Sequence, residues 1–438
     1  MRDLVNEIKT IFSDHDDFFI EKELKDKTAL YIMGFNTLID LTKSNKYVRQ
    51  IAASSFSVKE LFTNLSDQLD VDIKQLKKAI LDGKLVIVSE DGKHNAIVEP
   101  FSRNLTRSIA EPQSESPIQG SIDAFVEDIN INIGLIRKRL NSERLCHYSY
   151  EVGKLESRKL SMLYVQGRVS GDLIKKITQQ IKQIDTDIET VDDLNKYFSE
   201  SKFRLISQFF QTELPNQATH SLKKDRIVIF LDNYPFALIF PHLLGDMFSI
   251  ASDRNFPYIV AQALRTLRVM GAIINILLPA LYVSIISVNP EILKIDLALF
   301  VSESRQGIPF PALLETIIMV VMVDLILEAI VRLPKSVGPT ITMVGGIILG
   351  QAMVEAKLVS TLLVIVITAI VISGSVVSGI QNSLYIRLLR YPILILASIY
   401  GILGVFIGFF FIIVYLASLT SNGIPYAAFR IKRKEDAK

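Results

Sequence analysis

A chain of 438 residues is long enough for two or three domains, and its net charge of +2 gives no reason to expect a nucleic-acid partner. The single cysteine, Cys146, excludes an intrachain disulfide and any metal site built from cysteines alone. Residues 1 to about 265 are rich in charged and amide side chains, whereas residues from about 269 to 420 are mostly apolar. The composition therefore predicts a soluble domain followed by a membrane domain.

Two segments of the soluble half follow the same plan of a strand, a turn and a second strand that ends at a proline. They are residues 85–100 and residues 227–241. An apolar run precedes each segment, at residues 29–34 and 162–167, and the two runs carry a Tyr and a Gly at matching positions. The pattern predicts two related α/β subdomains, residues 1–105 and 145–262. Chance similarity between two short hairpins is the alternative.

Residues 106–144 are predicted to connect the subdomains through a linker and a helix. Up to Gly120 this segment is rich in Ser, Pro, Gln and Glu, which is typical of a linker. Apolar residues then recur at helical spacing, at Phe125, Ile129, Ile133, Ile136 and Leu140. The basic run Arg137-Lys138-Arg139 fits contact with anionic lipid headgroups or, as is more common, a solvated helix terminus.

The soluble half carries no motif that indicates catalysis. It has no Gly-rich loop for phosphate, no His/Cys set at metal-ligand spacing and no recognisable nucleophile motif. Its histidines are scattered, which favours surface or core positions over ligation: His15, His94, His147, His220 and His242. We therefore predict a protein that is not an enzyme and needs no cofactor or metal.

The apolar half contains four segments long enough to cross a bilayer. They are residues 269–288, 337–354, 358–379 and 392–419, and residues 310–331 form a fifth, acid-bearing candidate. The predicted transmembrane domain, residues 263–425, thus has four or five spans and is followed by a basic tail at 426–438.

The predicted orientation follows from the chain start and from the basic flanks. Residues 1–8 lack the basic region and apolar core of a cleavable signal peptide, so we expect the soluble half to stay in the cytoplasm. Arg265 and Arg268 before the first span and the basic tail after the last also predict cytoplasmic ends. Arg387 and Arg390 conflict with four spans, and the tail conflicts with five.

The fifth candidate places acids and two prolines within the apolar half. Pro309 and Pro311 interrupt a helix just before it reaches Glu315, Asp324 and Glu328. Ionisable groups and broken helices at membrane depth are costly unless they face protein or water, so a pathway for ions or a small polar solute is one reading. An amphipathic helix outside the bilayer core is the other. Arg332 is spaced to pair with Glu328 on one helical face.

A hydroxyl stripe marks the segment 358–379. Thr361, Thr368 and Ser375 repeat every seven positions, alongside Val364 and Val371, and therefore share one face of a helix. In a ring of subunits that face would line a narrow pore whose apolar constrictions gate by dewetting. Small hydroxyls that mediate helix packing are the alternative.

Glycines recur at the spacing that lets helices approach closely. The motifs are Gly346-Ile-Ile-Leu-Gly350 and Gly404-Val-Phe-Ile-Gly408. Both predict helix contacts, within one subunit or between subunits.

Ordered motifs over about residues 105–426 resemble the A subunit of the GerA-family spore germinant receptors. They are Leu-Arg-Thr-Leu-Arg at 264–268, Leu-Pro-Ala-Leu-Tyr at 278–282, the segment 305–315, Glu-Ala-Ile-Val-Arg-Leu-Pro at 328–334, Val-Gly-Gly-Ile-Ile-Leu-Gly-Gln at 344–351, Val-Glu-Ala-Lys-Leu-Val-Ser at 354–360 and Gly-Ile-Pro-Tyr at 423–426. The resemblance implies a multi-pass subunit of the inner membrane of the bacterial spore, with its N-terminal domain facing the spore core.

The same resemblance implies partners and a mechanism. It implies a transporter-like B subunit that binds the nutrient, a C-subunit lipoprotein, and self-association into a ring that forms a nutrient-gated cation channel. Polar residues that match the family's membrane pattern are Glu315, Glu328, Gln351 and Glu355, while Asp324 stands where a glutamate is usual. We expect gating or coupling roles for these and for Arg332, with Pro309 and Pro311 as a helix break.

Two other functions remain open at the level of sequence. One is a non-conducting scaffold that holds other receptor subunits through the duplicated soluble domain. The other is a protein similar to secondary transporters, which also use broken helices and midplane acids, usually within inverted repeats. The only repeat that the sequence shows lies in the soluble half, which disfavours transport.

Overall fold

The computed structural model describes residues 3–25, 28–55, 57–66, 68–90, 92, 94–99, 101, 123–199, 205–333, 338–377 and 379–428. The residues divide into two compact units, one built mainly from Met1–His242 and the other from Leu243–Thr420. Most of the expected linker, up to residue 122, and most of the basic tail lie outside the described residues.

The first part of the soluble unit is a four-stranded antiparallel sheet with helices beside it. Its elements are α1 Asp3–Ile11, β1 Phe18–Lys25, β2 Thr28–Phe35, α2 Leu41–Ser54, α3 Val58–Leu65, α4 Ile73–Leu81, β3 Leu85–Ser89 and β4 Asn95–Val98. The strands lie in chain order in the sheet. Side-chain oxygens of Asp40 and Ser57 accept from backbone N–H groups in the first turns of α2 and α3, which fixes where these helices begin.

The second part of the unit is a five-stranded sheet in the order β5-β6-β8-β9-β7. Its elements are α5 Ile129–Arg139, β5 Leu145–Val152, β6 Arg158–Val165, α6 Gly171–Lys182, α7 Val191–Phe198, β7 Phe210–Thr212, α8 Pro215–Lys223, β8 Ile227–Leu231 and β9 Ala237–Phe240. Alternate residues of β8 enter different cores: Ile229 packs with residues of α6 and α7, and Val228 with residues of α5 and α8. Helices therefore cover both faces, which explains why β8 is apolar throughout.

The expected hairpins are confirmed as β3–β4 and β8–β9. Their pairing nevertheless differs. Val88 pairs with Asn95, whereas Ile229, at the matching position of the second hairpin, pairs with Leu238 instead of Phe236. A two-residue shift keeps every side chain on its original face of the sheet, so both hairpins bury the same pattern.

The position of Arg137 shows that the prediction for the basic run at the end of α5 was wrong for this residue. Its side chain is 3% exposed and donates to Asp17 from Nε at 2.6 Å and from Nη2 at 2.5 Å. Thr37 and His147 also contact the Asp17 carboxylate, at 2.7 and 3.2 Å. Arg137 is therefore neither solvated nor available to lipid, because it neutralises a carboxylate that is itself buried.

This cluster joins the two parts of the unit and includes two of the scattered histidines. Burial, followed by the adjacent Arg137 charge, lowers the pKa of His15 from 6.5 to about 4. The Nδ1 atom of His15 lies 3.1 Å from Arg137 and its Nε2 atom lies 3.2 Å from the Glu143 carbonyl, which fits a neutral ring. Burial alone would raise the pKa of Asp17, but the charge of Arg137 and the hydrogen bond with His147 outweigh it and hold that pKa well below its usual range.

The second unit is helical. After 3-10 turns at Leu244–Phe248 and Ala251–Asn255 come α9 Tyr258–Val283, a π turn Ser284–Val288, a 3-10 turn Pro290–Ile292, α10 Ile295–Ser304, α11 Ala312–Arg332, α12 Gly338–Glu355, α13 Thr361–Ser375 and α14 Ile380–Ser418. Two short strands follow, β10 Thr420–Ser421 and β11 Ile424–Pro425. Arg268 belongs to α9, and its buried guanidinium donates to the Asp253 carboxylate at 2.6 and 2.8 Å. We expected a free positive charge beside the first span, and Arg268 is instead paired.

Among the described residues, two stretches are long and apolar enough to cross a membrane, Tyr258–Val288 and Gln381–Ser418. The first contains the expected span 269–288 but begins earlier. Helix α13 has 15 residues and is therefore about 22 Å long, which is short of a bilayer core of about 30 Å. The helix that forms is thus shorter than the expected span 358–379.

The expected span 392–419 is interrupted. Gly401 has φ +61° and ψ −140°, which is not helical. A Cβ atom on Gly404 would lie 2.0 Å from the Leu396 carbonyl oxygen, and one on Gly408 would lie 3.2 Å from the Cα atom of Ile393. Residues 393 and 408 of a straight helix would be about 22 Å apart. Helix α14 therefore folds back at Gly401 into two arms, residues 380–400 and 402–418.

The glycine motif in the second arm is confirmed as a close contact, and this contact lies within the chain. At the fold-back the Asn289 Oδ1 atom accepts from the Ile402 N–H at 3.0 Å, which satisfies a backbone donor that the break exposes. In the other motif, a Cβ atom on Gly346 or Gly350 would meet no described atom within 4 Å. The helix contact expected at that motif therefore stays a prediction.

Candidate functional site in the helical unit

Glu315 lies in the first turn of α11 and is completely buried. Its Oε1 atom accepts from both the backbone N–H and the hydroxyl of Ser360, each at 2.7 Å. Ser360 is the N-cap of α13, where its Oγ atom also accepts from the Leu363 N–H at 3.2 Å. The Tyr282 hydroxyl of α9 lies 2.9 Å from the same Oγ atom. One carboxylate therefore fixes the start of the helix that carries the hydroxyl stripe.

The segment between α10 and α11 supplies the counter-charge for Glu315. The Nη2 atom of Arg305 lies 3.4 Å from Glu315 Oε2 and donates to the Phe310 carbonyl at 3.2 Å. Pro309 and Pro311 lie in this non-helical segment, and Pro311 is the N-cap of α11, so the expected helix break is present. The Glu315 Oε2 and Arg305 Nε atoms are buried and have no hydrogen-bond partner among the described residues. The pair is thus held by charge more than by hydrogen bonds.

Asp324 lies further along α11 and pairs with the first arm of α14. Its Oδ2 atom accepts from Arg390 at 2.5 Å and from the Tyr391 hydroxyl at 2.7 Å. Arg387 approaches Oδ1 at 3.8 Å. Arg387 and Arg390 therefore both contact a carboxylate in the helical unit, and the predicted orientation stays a prediction.

The other expected coupling residues lie on exposed faces. Arg332 donates to Glu328 at 2.8 Å, which confirms the spacing argument, but both side chains are largely exposed. Gln351 and Glu355 are exposed on α12. The structure thus brings Glu315 and Asp324 into buried contacts and leaves Glu328, Arg332, Gln351 and Glu355 outside them.

Helix α13 presents the hydroxyl stripe on its open side. Thr361, Thr368 and Ser375 are all exposed, while the opposite side buries Leu363, Ile367 and Ile370. The Thr368 and Ser375 hydroxyls donate to the carbonyls of Val364 and Val371, one turn earlier, at 2.8 and 2.9 Å. Their accepting lone pairs remain available on the open side.

The apolar residues that separate the hydroxyls differ from those we expected. Val364 and Val371 are partly buried and pack in the core of the helical unit. Ile365 and Ile372 are 65% and 63% exposed and alternate with the hydroxyls on the open side. The prediction of Val364 and Val371 on this face was wrong because a residue three positions after a hydroxyl is turned about 60° towards the buried side, whereas a residue four positions after it is turned only about 40° to the other side.

Helix α9 holds the buried side of α13 through a polar contact. Asn275 is 2% exposed and donates to the Ile370 carbonyl at 2.8 Å. A Cβ atom on Gly374 would lie 2.5 Å from Asn275 Nδ2, and one on Gly271 would lie 2.8 Å from the Ser373 carbonyl oxygen. This contact was not predicted, although an asparagine within an apolar run was a usable signal.

No group of three or more His, Cys, Asp or Glu side chains in the described part of the chain could hold a metal ion. The chemistry that this unit offers is instead a buried carboxylate at the start of one helix, a carboxylate between two arginines, and an exposed face of alternating hydroxyl and aliphatic groups.

Comparison with known proteins places the chain in a family. The family model described as "Bacillus/Clostridium GerA spore germination protein" matches residues 6–437. Spore germination protein A1 of Bacillus subtilis (strain 168) is 29% identical over 97% of this chain and 90% of its own length. Spore germination protein GerLA of Bacillus cereus is 33% identical over 80% of this chain and 71% of its own length.

Two further similarities are weaker or less informative about role. The uncharacterized membrane protein YfkQ of Bacillus subtilis (strain 168) is 31% identical over 82% of this chain and 70% of its own length. The crystal structure of the N-terminal domain of the A subunit of the Bacillus megaterium spore germinant receptor GerK3 aligns with a TM-score of 0.40 and 19% identity, over 54% of this chain and 92% of that domain. From the match of the family model over nearly the whole sequence, the chain belongs to the GerA family of spore germination proteins.

Proposed function

We propose that this germination protein is a subunit of an oligomeric, nutrient-gated cation channel, and that the open side of α13 lines the conducting path. One observation carries the proposal: Thr361, Thr368 and Ser375 are exposed in the single chain and alternate with exposed Ile365 and Ile372. In a ring of identical chains this face would form hydroxyl rings between narrow apolar rings. Such apolar rings close a pore by excluding water.

The proposal requires a multi-pass transmembrane domain. Support comes from the two long apolar stretches, Tyr258–Val288 and Gln381–Ser418, and from the shorter apolar segments of α12 and α13. Because α13 is shorter than a bilayer core, it would sit within a ring of longer helices and leave wide vestibules at its ends. Residues 263–425 form this domain in the proposal.

Glu315 would couple the pore helix to the rest of the subunit. Its two hydrogen bonds hold the N-terminus of α13 against α11, and Arg305 connects the same carboxylate to the loop before α11. A displacement of that loop would therefore be transmitted to α13 through a buried contact with little slack. Asp324 would hold the first arm of α14 in the same way, whereas Glu328, Gln351 and Glu355 would contact other subunits or solvent.

The assembly and location follow from family membership as proposals. We infer that a transporter-like B subunit and a lipoprotein C subunit are the partners, and that the complex lies in the inner spore membrane. The two related subdomains, residues 1–105 and 145–262 with the connection at 106–144, would face the spore core and dock other receptor proteins. The basic tail at 426–438 would lie on the same side. The protein would act through conformational change and not as an enzyme.

Flux through liposomes that contain the complex tests the proposal. Ile372→Thr places a hydroxyl where the proposal has an apolar ring, so cation leak without nutrient should rise at least severalfold. The matched control is Ile395→Thr on α14, which makes the same exchange at a residue that is 53% exposed on another helix, and it should leave the leak unchanged.

The same assay separates the proposal from a scaffold. A leak that is equal in both variants and in the unmodified chain would place the conducting path elsewhere. A complex that germinates spores normally and never conducts would favour a scaffold that holds the other subunits.

A further inference from the structure

The cluster around Asp324 carries an excess of positive charge. Arg390, whose side chain is 3% exposed, and Arg387, whose side chain is 12% exposed, face one carboxylate. Tyr391 is neutral and also donates to that carboxylate. Within the described residues, two guanidinium groups therefore share a single negative charge. A buried arginine charge without full compensation is costly in an apolar setting, so a second anion would stabilise the cluster.

Unpartnered atoms show what such an anion would need to offer. The Nε atoms of Arg387 and Arg390 are buried and have no hydrogen-bond partner among the described residues. The Asp324 Oδ1 atom also lacks a hydrogen-bond partner there. A ligand that reaches Arg387 and Asp324 must accept from a guanidinium N–H, donate one hydrogen bond to the carboxylate, and carry a negative charge that offsets the second arginine. A phosphate oxygen group that carries a neighbouring hydroxyl meets these requirements.

The cluster has an entrance with an apolar rim. The Asp324 side chain is 22% exposed, so the site opens at Asp324 and Arg387 and is closed at Arg390. Leu325 and Leu388, which directly follow Asp324 and Arg387, are 59% and 50% exposed. A polar entrance beside exposed aliphatic side chains suits an amphiphile better than a fully water-soluble anion.

The distance of the cluster from the helix ends also suits a headgroup. Asp324 precedes the end of α11 at Arg332 by about 12 Å along the helix, and Arg387 follows the start of α14 by about 10 Å. Arginine side chains at such positions reach the phosphate level of a bilayer by extending along the helix.

We propose that this cluster binds the headgroup of an anionic phospholipid of the phosphatidylglycerol type. The phosphate approaches from the open side and accepts from the Arg387 guanidinium, its charge offsets that of the enclosed Arg390, and a glycerol hydroxyl donates to the Asp324 carboxylate. The acyl chains cover Leu325 and Leu388. The inference rests on the proposed placement in a membrane and does not depend on conduction.

Native mass spectrometry of the full chain, exchanged from detergent into defined lipid mixtures, tests the site. The unmodified chain should retain phosphatidylglycerol at least tenfold over phosphatidylcholine. Arg387→Gln should lose most of that preference, and Arg387→Lys, which keeps the charge, should keep most of it. Arg332→Gln is the matched control, because this exposed arginine already pairs with Glu328, and it should bind lipid as the unmodified chain does.

Asp324→Asn separates charge from packing. This substitution removes the negative charge that the two arginines share and keeps an acceptor oxygen. The variant should therefore retain at least as much phosphatidylglycerol as the unmodified chain. Equal loss in Asp324→Asn and Arg387→Gln would show that packing holds the lipid and would overturn the proposal, as would full retention in Arg387→Gln. Displacement of the lipid by millimolar inorganic phosphate would assign the site to free phosphate instead.

Discussion

Replacement of Glu315 should weaken the helical unit far more than replacement of another acid on the same helix. In Glu315→Ala the Ser360 N–H and hydroxyl both lose their acceptor at a position that is completely buried, and Arg305 loses its counter-charge. Removing one partner of a buried ion pair costs about 3–5 kcal/mol. Two orphaned donors at about 1–3 kcal/mol each give a similar sum.

The corresponding shift in melting temperature can be measured by size-exclusion chromatography of detergent-solubilised protein after heating. For a unit of this size the loss corresponds to roughly 10 °C. Glu315→Gln keeps an acceptor for Ser360 but leaves Arg305 without its counter-charge, so its free energy of unfolding should also fall, by less than that of Glu315→Ala. Glu328→Ala is the control, because Glu328 is exposed and its pair with Arg332 is a surface pair, and it should melt within about 2 °C of the unmodified chain.

The result that would refute this reasoning is equal melting of Glu315→Ala and Glu328→Ala. In that case the contact between α11 and the start of α13 would not stabilise the unit, and Glu315 would not be a coupling residue.

The other predictions concern both units. His15 should titrate near pH 4 when the deuterium exchange of its ring is followed by mass spectrometry. Because this folded pKa is lower than the unfolded value of 6.5, the neutral ring stabilises the fold fully above pH 6.5. That contribution is lost as the pH falls towards 4, and the free energy of unfolding should be lower by about 2 kcal/mol at pH 5. A His15 pKa near 6.5 would contradict the buried contacts. Arg137→Met should cost about 3–5 kcal/mol, seen as lower thermal stability of the soluble unit, because it leaves the buried Asp17 carboxylate without its arginine counter-charge. Gly404→Ala should abolish stable protein, since its Cβ atom would lie 2.0 Å from a backbone oxygen, whereas Gly350→Ala, which meets no described atom within 4 Å, should fold normally; equal yields would contradict the fold-back of α14.

The sequence predicted those strands and helices whose pattern of apolar and polar residues agrees with which of their side chains are buried. The hairpins β3–β4 and β8–β9 were evident because both of their strands are apolar and turn residues separate them. Strand β1 was not predicted, since its sequence Phe-Phe-Ile-Glu-Lys-Glu-Leu-Lys carries four charged residues at the edge of the sheet and shows neither a continuous apolar run nor the strict alternation typical of a strand. Partners from distant segments, such as Asp17 for Arg137, cannot be read from spacing at all.

The same limit applied in the helical unit. The break at Pro309 and Pro311 and the pair of Glu328 with Arg332 depend on residues close in sequence, and both were predicted. The contact of Glu315 with Ser360 joins residues 45 positions apart, and that of Asp324 with Arg390 joins residues 66 positions apart, so only the folded chain reveals them.

The fold-back at Gly401 shows a further limit of hydropathy. An apolar run long enough for one span gives no sign of where the chain reverses, because both arms remain apolar. The signal that was present, glycines at 404 and 408, predicted close packing but not that the packing partner was the same helix.

The central claim, that the open side of α13 faces a water-filled path, is tested most directly by cysteine modification. Thr368→Cys in a Cys146→Ser background should react with a charged, water-soluble thiol reagent when the complex is open, and the reaction should block cation flux. Ile395→Cys, exposed on another helix, should leave flux unchanged under the same treatment. If neither cysteine reacts, or if modified Thr368→Cys conducts as before, the hydroxyl stripe packs against lipid or protein and the account of the pore is wrong.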